Sequence, residues 1–312
     1  MDLVFLGSGA FGLPTLRHLS ERHSIKGIVT QPDRPAGRGK RDTPTPIAAW
    51  AAESLLSTPV IKPERVNEPA IVDEVRGWGG DAWVVIAFGQ KLGAPLLADR
   101  FAINLHASRL PRWRGAAPIH AAVLAGDTET GNSVITLADR MDAGEVLGQS
   151  RRAIEPSHTA GELHDLLADD GPALVAQVLE AFQTGRLDRQ TQDESLVTLA
   201  GKLRKSDGYL DFGDSAEALR RKVHGLTPWP GASAMLGDAR LKLLRVEVIE
   251  GDGEQADQPG RLVDAAGGVV ACGCGHLRLL EVQPAGGRAM PWSSFATGRA
   301  LSADARLTRI EA

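Results

Sequence analysis

The sequence predicts an α/β fold, a doubly wound and mostly parallel sheet, followed by a small C-terminal β-barrel. Three observations carry this. Short, continuous apolar runs in the first half end in glycine or a turn and alternate with leucines at helical spacing, the pattern of βαβ units in a Rossmann-like sheet. The last third has short strand-like runs separated by Gly-rich turns, as small all-β domains do. Between them, Thr184 to Asp207 (TGRLDRQTQDESLVTLAGKLRKSD) turns polar, as expected of a linker. The predicted divisions are therefore 1–183, a linker over 184–207, and 208–312.

Each element is set by local pattern. Leu3–Leu6 is an apolar run closed by Gly7, a strand buried on both faces. Leu13, Leu16 and Leu19 then give a helix, with Pro14 tolerated in its first turn. Ile25–Thr30, Ala82–Phe88 and Phe101–Leu105 are the next strands, and Ser133–Leu137 and Val146–Gln149 flank a turn, MDAGE. Apolar periodicity over Leu163–Phe182 predicts helices that close the first domain. Beyond the linker, Ala232–Leu236, Leu241–Ile249, Gly268–Cys272 and His276–Val282 are the barrel strands, with TPWPGA an irregular lead-in.

Bulk properties narrow the function. At 312 residues the chain can bury two cores, and 43% hydrophobic with 24% charged residues is ordinary for a globular protein. A net charge of −4 announces no global field for nucleic acid, although a local patch can still steer one. Met1 leads directly into DLVFL and no apolar run approaches membrane-spanning length, so a cytoplasmic protein is expected, and a monomer. The only cysteines, Cys272 and Cys274, stand one residue apart and make no zinc quartet. A pair of small buried residues in a reducing compartment is the expectation for them.

In a doubly wound sheet, ligands bind beyond the carboxyl ends of the strands. The first such turn, Gly7–Gly12 (GSGAFG), has the spacing of a dinucleotide fingerprint. That site also needs an acid at the end of the second strand, whereas this strand ends Thr30-Gln31-Pro32. NAD is therefore not expected. Past Pro32 runs a long basic loop punctuated by Gly and Pro, in which Arg34, Arg38, Lys40 and Arg41 suggest phosphate binding at a strand end.

The densest signal is INLHASRLPRWRGAAPIH. Asn104 and His106 lie two apart near a strand end, so their side chains share a face. Asp142 in the MDAGE turn supplies a carboxylate able to orient the imidazole. A carboxamide, an imidazole and a carboxylate are what acyl transfer to an amine requires: oxyanion donors, a proton manager and an orienter. Ser108 lacks the G-x-S-x-G elbow of a hydrolase. The seven other histidines are expected to be structural.

The stretches FLGSGAFGLP, VTQPDRPAGRGK, INLHASRLPRWRGAAPI, DRMDAGEVL, HGLTPWPGA and PGRLVDAAGGVVACG run nearly end to end. Together they resemble the methionyl-tRNA formyltransferase branch of the folate-dependent formyltransferase family. The resemblance implies that Asn104, His106 and Asp142 are catalytic, and that Ser108, Arg109, Leu110 and Pro111 contact the tetrahydrofolate. Relatives usually carry an apolar residue where this chain has Arg109. It further implies a barrel of the oligonucleotide-binding (OB) type. The implied reaction moves formyl from 10-formyltetrahydrofolate, a substrate, to the α-amine of methionyl-initiator tRNA for translation initiation, without a metal. On the same resemblance the first glycine turn lets backbone pass close to the transferred group. A second basic face, Arg220, Arg221, Lys222, Lys242 and Arg245, is expected on the barrel side. The trio alone leaves open formyl transfer to an amino-sugar nucleotide or to glycinamide ribonucleotide. An NAD oxidoreductase has only Gly7–Gly12 in its favour, and an RNA-binding module leaves the trio unexplained.

Overall fold

A computed structural model describes residues 1–36, 41–249, 258–299, 301 and 305–311. The chain divides into two compact units. One comprises 1–114, 131–152 and 164–199; the other comprises 115–130, 153–163 and 200–312.

In the first unit, strands β1 (Asp2–Gly7), β2 (Ser24–Val29), β3 (Arg34–Ala36), β4 (Arg41–Thr43), β5 (Val60–Ile61), β6 (Ala82–Ile86), β7 (Ala102–His106), β8 (Ser133–Thr136) and β9 (Val146–Gln149) appear in chain order. All but β3 and β4 form one sheet in the order β9-β8-β7-β6-β1-β2-β5. The five strands from β7 to β5 are parallel, and β8 and β9 add an antiparallel edge. The chain runs outward from β1 through β2 to β5 and returns to β6 on the other side of β1. Strand order thus reverses between β1 and β6, which opens a crevice at their carboxyl ends.

Helix α1 (Leu13–Ser20) buries Leu16 and Leu19 as its spacing predicts. Val4, Leu6, Val29, Val75, Trp83, Val85 and Phe88 form one layer of the core. Burying each large side chain contributes about 1.5–3 kcal/mol. The all-apolar pattern of β6 reflects its central place, covered on both faces.

The stretch expected as a basic loop is a hairpin. Arg34 pairs with Thr43 and Ala36 with Arg41, so β3 and β4 form a two-stranded ribbon. Arg38 and Lys40 lie outside the described residues.

The second unit is a barrel. Strands β10 (Ala232–Leu236), β11 (Ala239–Ile249), β12 (Leu262–Asp264), β13 (Val269–Ala271), β14 (His276–Pro284) and β15 (Leu307–Thr308) take the path β12-β13-β14-β11-β10-β15. Its two edges meet where Arg261 pairs with Arg306, and Leu262 donates to Ala305 O at 2.9 Å and Leu307 to Gly260 O at 2.7 Å. Closure removes exposed strand edges. The core includes Leu219, Val223, Leu241, Leu243, Leu277, Leu279 and Trp292.

Two expectations are corrected here. Cys272 is buried, and burial pushes its thiol up to about 12, but Cys274 is exposed. The second basic face is largely spent on internal partners. Arg220 and Arg221 both bind Glu217 at 2.7 Å, Lys222 donates to Tyr209 O at 2.7 Å, and Arg245 pairs with Glu162. Among the described residues, no helix is long and apolar enough to cross a membrane.

Candidate active site

The crevice at the strand ends is braced by polar side chains. A Cβ on Gly7 would lie 2.6 Å from a Phe5 ring carbon and 2.8 Å from Ile86 O, so this glycine is required by contact within the sheet. That is a different reason from the close passage past a transferred group that the resemblance implied. Ser8 Oγ donates to Phe88 O at 3.1 Å and accepts from the Gln31 amide at 3.0 Å. Gln31 sits where a nucleotide site would place an acid, and its own carboxamide donates to Phe88 O at 3.0 Å.

Strand β7 delivers Asn104 and His106. Asn104 stands opposite Val85 on one side and Ile135 on the other, and His106 opposite Ser133. The two-residue spacing puts both on one face of the sheet. His106 is 7% exposed. Its Nε2 lies 2.9 Å from the Trp113 carbonyl. A carbonyl only accepts, so Nε2 carries the hydrogen and donates. Nδ1 is left as the position where this imidazole takes up or gives a proton, and the Asp142 Oδ2 lies 3.6 Å from it. Asp142 is itself 14% exposed. The structure brings together Asn104, His106 and the turn that carries Asp142.

That turn is forced into shape by its sequence. Asp142 has φ +54°, a left-handed backbone that costs a non-glycine residue about 1–2 kcal/mol. Gly144 permits the turn to dock, because a Cβ there would stand 1.7 Å from Thr136 O. Thr136 then exchanges bonds with Glu145, its amide donating to Glu145 O at 3.0 Å and its hydroxyl accepting from the Glu145 amide at 2.9 Å. Trp113 also has a left-handed backbone, at φ +65°.

The segment Ser108–Pro111 is held mainly by its own backbone. Ser133 Oγ donates to Ser108 O at 2.7 Å and accepts from the Leu110 amide at 3.0 Å. Gln149 donates to Leu110 O at 2.8 Å, and Ser108 Oγ to Arg112 O at 2.6 Å. Leu110 packs with Ile135 and Val146 as a small apolar cluster. Three of the backbone groups that could greet a ligand here are therefore already engaged, and the Leu110 side chain is buried within its cluster.

Several site residues are not visible in sequence patterns. Gln192 donates to Asp142 O and to Gly144 O, both at 2.8 Å, and accepts from Arg114 Nε at 2.9 Å. Arg114, nearly buried, pairs with Glu194 at 2.9 Å, and Arg140 joins the same carboxylate at 3.0 Å. Arg114 first and Arg140 second hold the Glu194 carboxyl below its usual range. Nothing in spacing or periodicity marks Gln192 or Thr198. Away from this centre, Arg34 is exposed and pairs with Glu64 at 2.7 Å, and Arg41 is exposed in β4.

A sheet with this switch point, a carboxamide and a buried imidazole on one strand, and a carboxylate turn beside them define a group-transfer enzyme of the formyltransferase kind. The chain belongs to the formyl transferase family: the model of that family matches residues 1–179, and that of its C-terminal domain residues 202–300. Its relatives include the methionyl-tRNA formyltransferase of Cereibacter sphaeroides, 41% identical over 303 residues (96% of this chain, 97% of the relative). That of Methylococcus capsulatus is 40% identical over 306 residues (97% and 98%). The fold is also that of WlaRD, a sugar 3N-formyl transferase, with TM-score 0.66 and 10% identity over 89% of this chain and 97% of that one. HypX from Aquifex aeolicus, solved with tetrahydrofolic acid, has TM-score 0.64 and 16% identity over 95% of this chain, which spans 46% of the HypX chain.

Proposed function

We propose that the chain transfers the formyl group of 10-formyltetrahydrofolate to the α-amine of methionine esterified to initiator tRNA. The observation that carries this reading is buried His106, fixed by the Trp113 carbonyl on one side and faced by Asp142 on the other. Relatives that share about two fifths of their residues over nearly the whole chain are named methionyl-tRNA formyltransferases. The neutral amine adds to the formyl carbon, the bond from that carbon to the folate nitrogen breaks, and the proton lost by the amine passes to that nitrogen. Asn104 and the His106 Nδ1–H donate to the oxygen that gains charge, where preorganised donors act most strongly. Asp142 supports the imidazolium and, through an ordered water, receives the amine proton. These groups suffice without a metal.

In this reading Ser108, Arg109, Leu110 and Pro111 line the folate subsite, with the Leu110 cluster as the apolar wall for a flat pterin. Arg34 and Arg41 on the hairpin, with Arg38 and Lys40 between them in the sequence, meet tRNA phosphates. Residues 1–183 carry the reacting groups, 184–207 lead on to the second domain while Gln192 and Thr198 brace the site, and 208–312 add backbone contact to the tRNA. The enzyme works in the cytosol, where Cys272 and Cys274 stay as free thiols.

The test is a formyl-transfer assay with 10-formyltetrahydrofolate and methionyl-tRNA, run beside free methionine and an amino-sugar nucleotide. Formylmethionyl-tRNA is the expected product. Faster formylation of the sugar nucleotide, or transfer to none of the three, would overturn the reading.

A further inference from the structure

Both groups beside His106 depend on non-glycine residues with left-handed backbone: Asp142 carries the carboxylate, and Trp113 supplies the carbonyl. Such conformations persist only where surrounding structure over-determines them, and they gather at functional sites. The same short segment restrains both.

Gln192 is 7% exposed, and both of its amide bonds go to the carbonyls of Asp142 and Gly144, which flank Ala143. Its oxygen takes the Arg114 Nε–H, so the carboxamide cannot rotate without losing three bonds. Thr198 lies six residues on. Its hydroxyl accepts from the Trp113 amide at 2.9 Å, and its carbonyl accepts from the Arg114 amide at 2.9 Å. The Trp113 carbonyl in turn takes the His106 Nε2–H. The segment is anchored at its start by the reciprocal Gln190–Val146 pair, at 2.9 and 2.8 Å, and in its middle by Glu194 between Arg114 and Arg140.

We propose that Gln192 and Thr198 form a positioning strap for the transfer, Gln192 setting the Asp142 turn and Thr198 the backbone that orients His106. This rests on the formyl-transfer reading above. Each residue acts on backbone, one step removed from the reacting groups. A catalytic pair placed about 1 Å wrong can lose up to roughly 10²-fold in rate while substrates still bind.

The variants separate positioning from bulk stability. Gln192→Glu keeps size and the Arg114 acceptor but removes both donors and sets a carboxylate against two carbonyl oxygens. Thr198→Val keeps shape and removes the acceptor, and Thr198→Ser restores it. The readouts are kcat per folate-binding site, the KM of each substrate, and Tm. Gln192→Glu and Thr198→Val should each lose roughly tenfold or more in kcat, with both KM values within about twofold, and Thr198→Ser should recover most of the loss. Wild-type kcat per site in Gln192→Glu and Thr198→Val would overturn the proposal, as would Thr198→Ser being as impaired as Thr198→Val. A wild-type chain that formylates no acceptor overturns both readings; an active wild type with unimpaired variants overturns only the strap.

Discussion

Asn104 and Asp142 meet the reaction in different ways, and their substitutions can be read as chemistry rather than folding. Asn104→Ala removes an oxyanion donor and should lower kcat by roughly 10²-fold, the scale of losing one such donor. Asp142→Asn removes the charge while asparagine tolerates the left-handed backbone at φ +54°. Its turn, held by Gln192 and by Gly144 against Thr136, should therefore survive, with kcat down by at least as much and Tm unchanged. Steady-state kinetics beside thermal melts checks both; near-normal turnover in two folded variants would remove the trio from the chemistry. At this scale, Asn104 and His106 are legible because alternation along a strand is a two-residue rule. Gln192 is not, since its partners at Asp142 and Gly144 lie 50 and 48 residues away and no local pattern encodes a contact that distant.

Elements were legible where burial imposes a pattern. The run at Ala82–Ile86 is apolar because both faces of β6 are covered, and the strand Ala232–Leu236, also buried along most of its length, begins just after Gly231. The hairpin of β3 and β4 is invisible for the opposite reason: in these three-residue strands Arg34, Pro35, Arg41, Asp42 and Thr43 are all exposed, so no periodicity of burial marks them. Helix α2 (Ala216–Gly225) offers a test of a structural histidine expected only as such. His224 accepts the Val246 amide at Nε2 (3.2 Å) and so donates from Nδ1 to Pro156 O (3.1 Å), locking the helix onto β11. Burial first, with Arg220 and Arg245 nearby, pushes its pKa down to about 4 from 6.5. Below pH 6.5 the unfolded chain takes up a proton that the native one refuses until about pH 4. The contribution is thus complete above 6.5 and lost as pH falls toward 4, on the order of 3 kcal/mol in all. Denaturant titrations across that window should show a shallower acid slope for His224→Asn than for the parent. Equal slopes would mean that another group governs acid stability.

For the whole molecule the question is how a chain of net charge −4 engages a polyanion. Four of the five residues of the second basic face, Arg220, Arg221, Lys222 and Arg245, are engaged by Glu217, the Tyr209 carbonyl and Glu162. In the sequence, basic residues are dense just past β2, where Arg34 is offset by Glu64 at 2.7 Å and Arg41 is exposed. Arg38 and Lys40 complete the cluster in sequence. Each phosphate contact releases counterions, so the salt slope of binding falls by about 0.7–0.9 for every contact removed. Replacing Arg38 and Lys40 by alanine should raise the KM for methionyl-tRNA and flatten its dependence on salt. Arg34→Ala should do less, because its charge is already partly neutralised. The KM for 10-formyltetrahydrofolate should hardly move, since the proposed folate segment is fixed by Ser133 and Gln149 through backbone bonds independent of the hairpin. Some loss of kcat is allowed, because binding energy far from the reacting amine also positions it. Kinetics identical to the parent at every salt concentration would show the hairpin to be solvated surface. The case for a tRNA acceptor would then rest on the relatives alone, and the amino-sugar nucleotide would become the acceptor to test first.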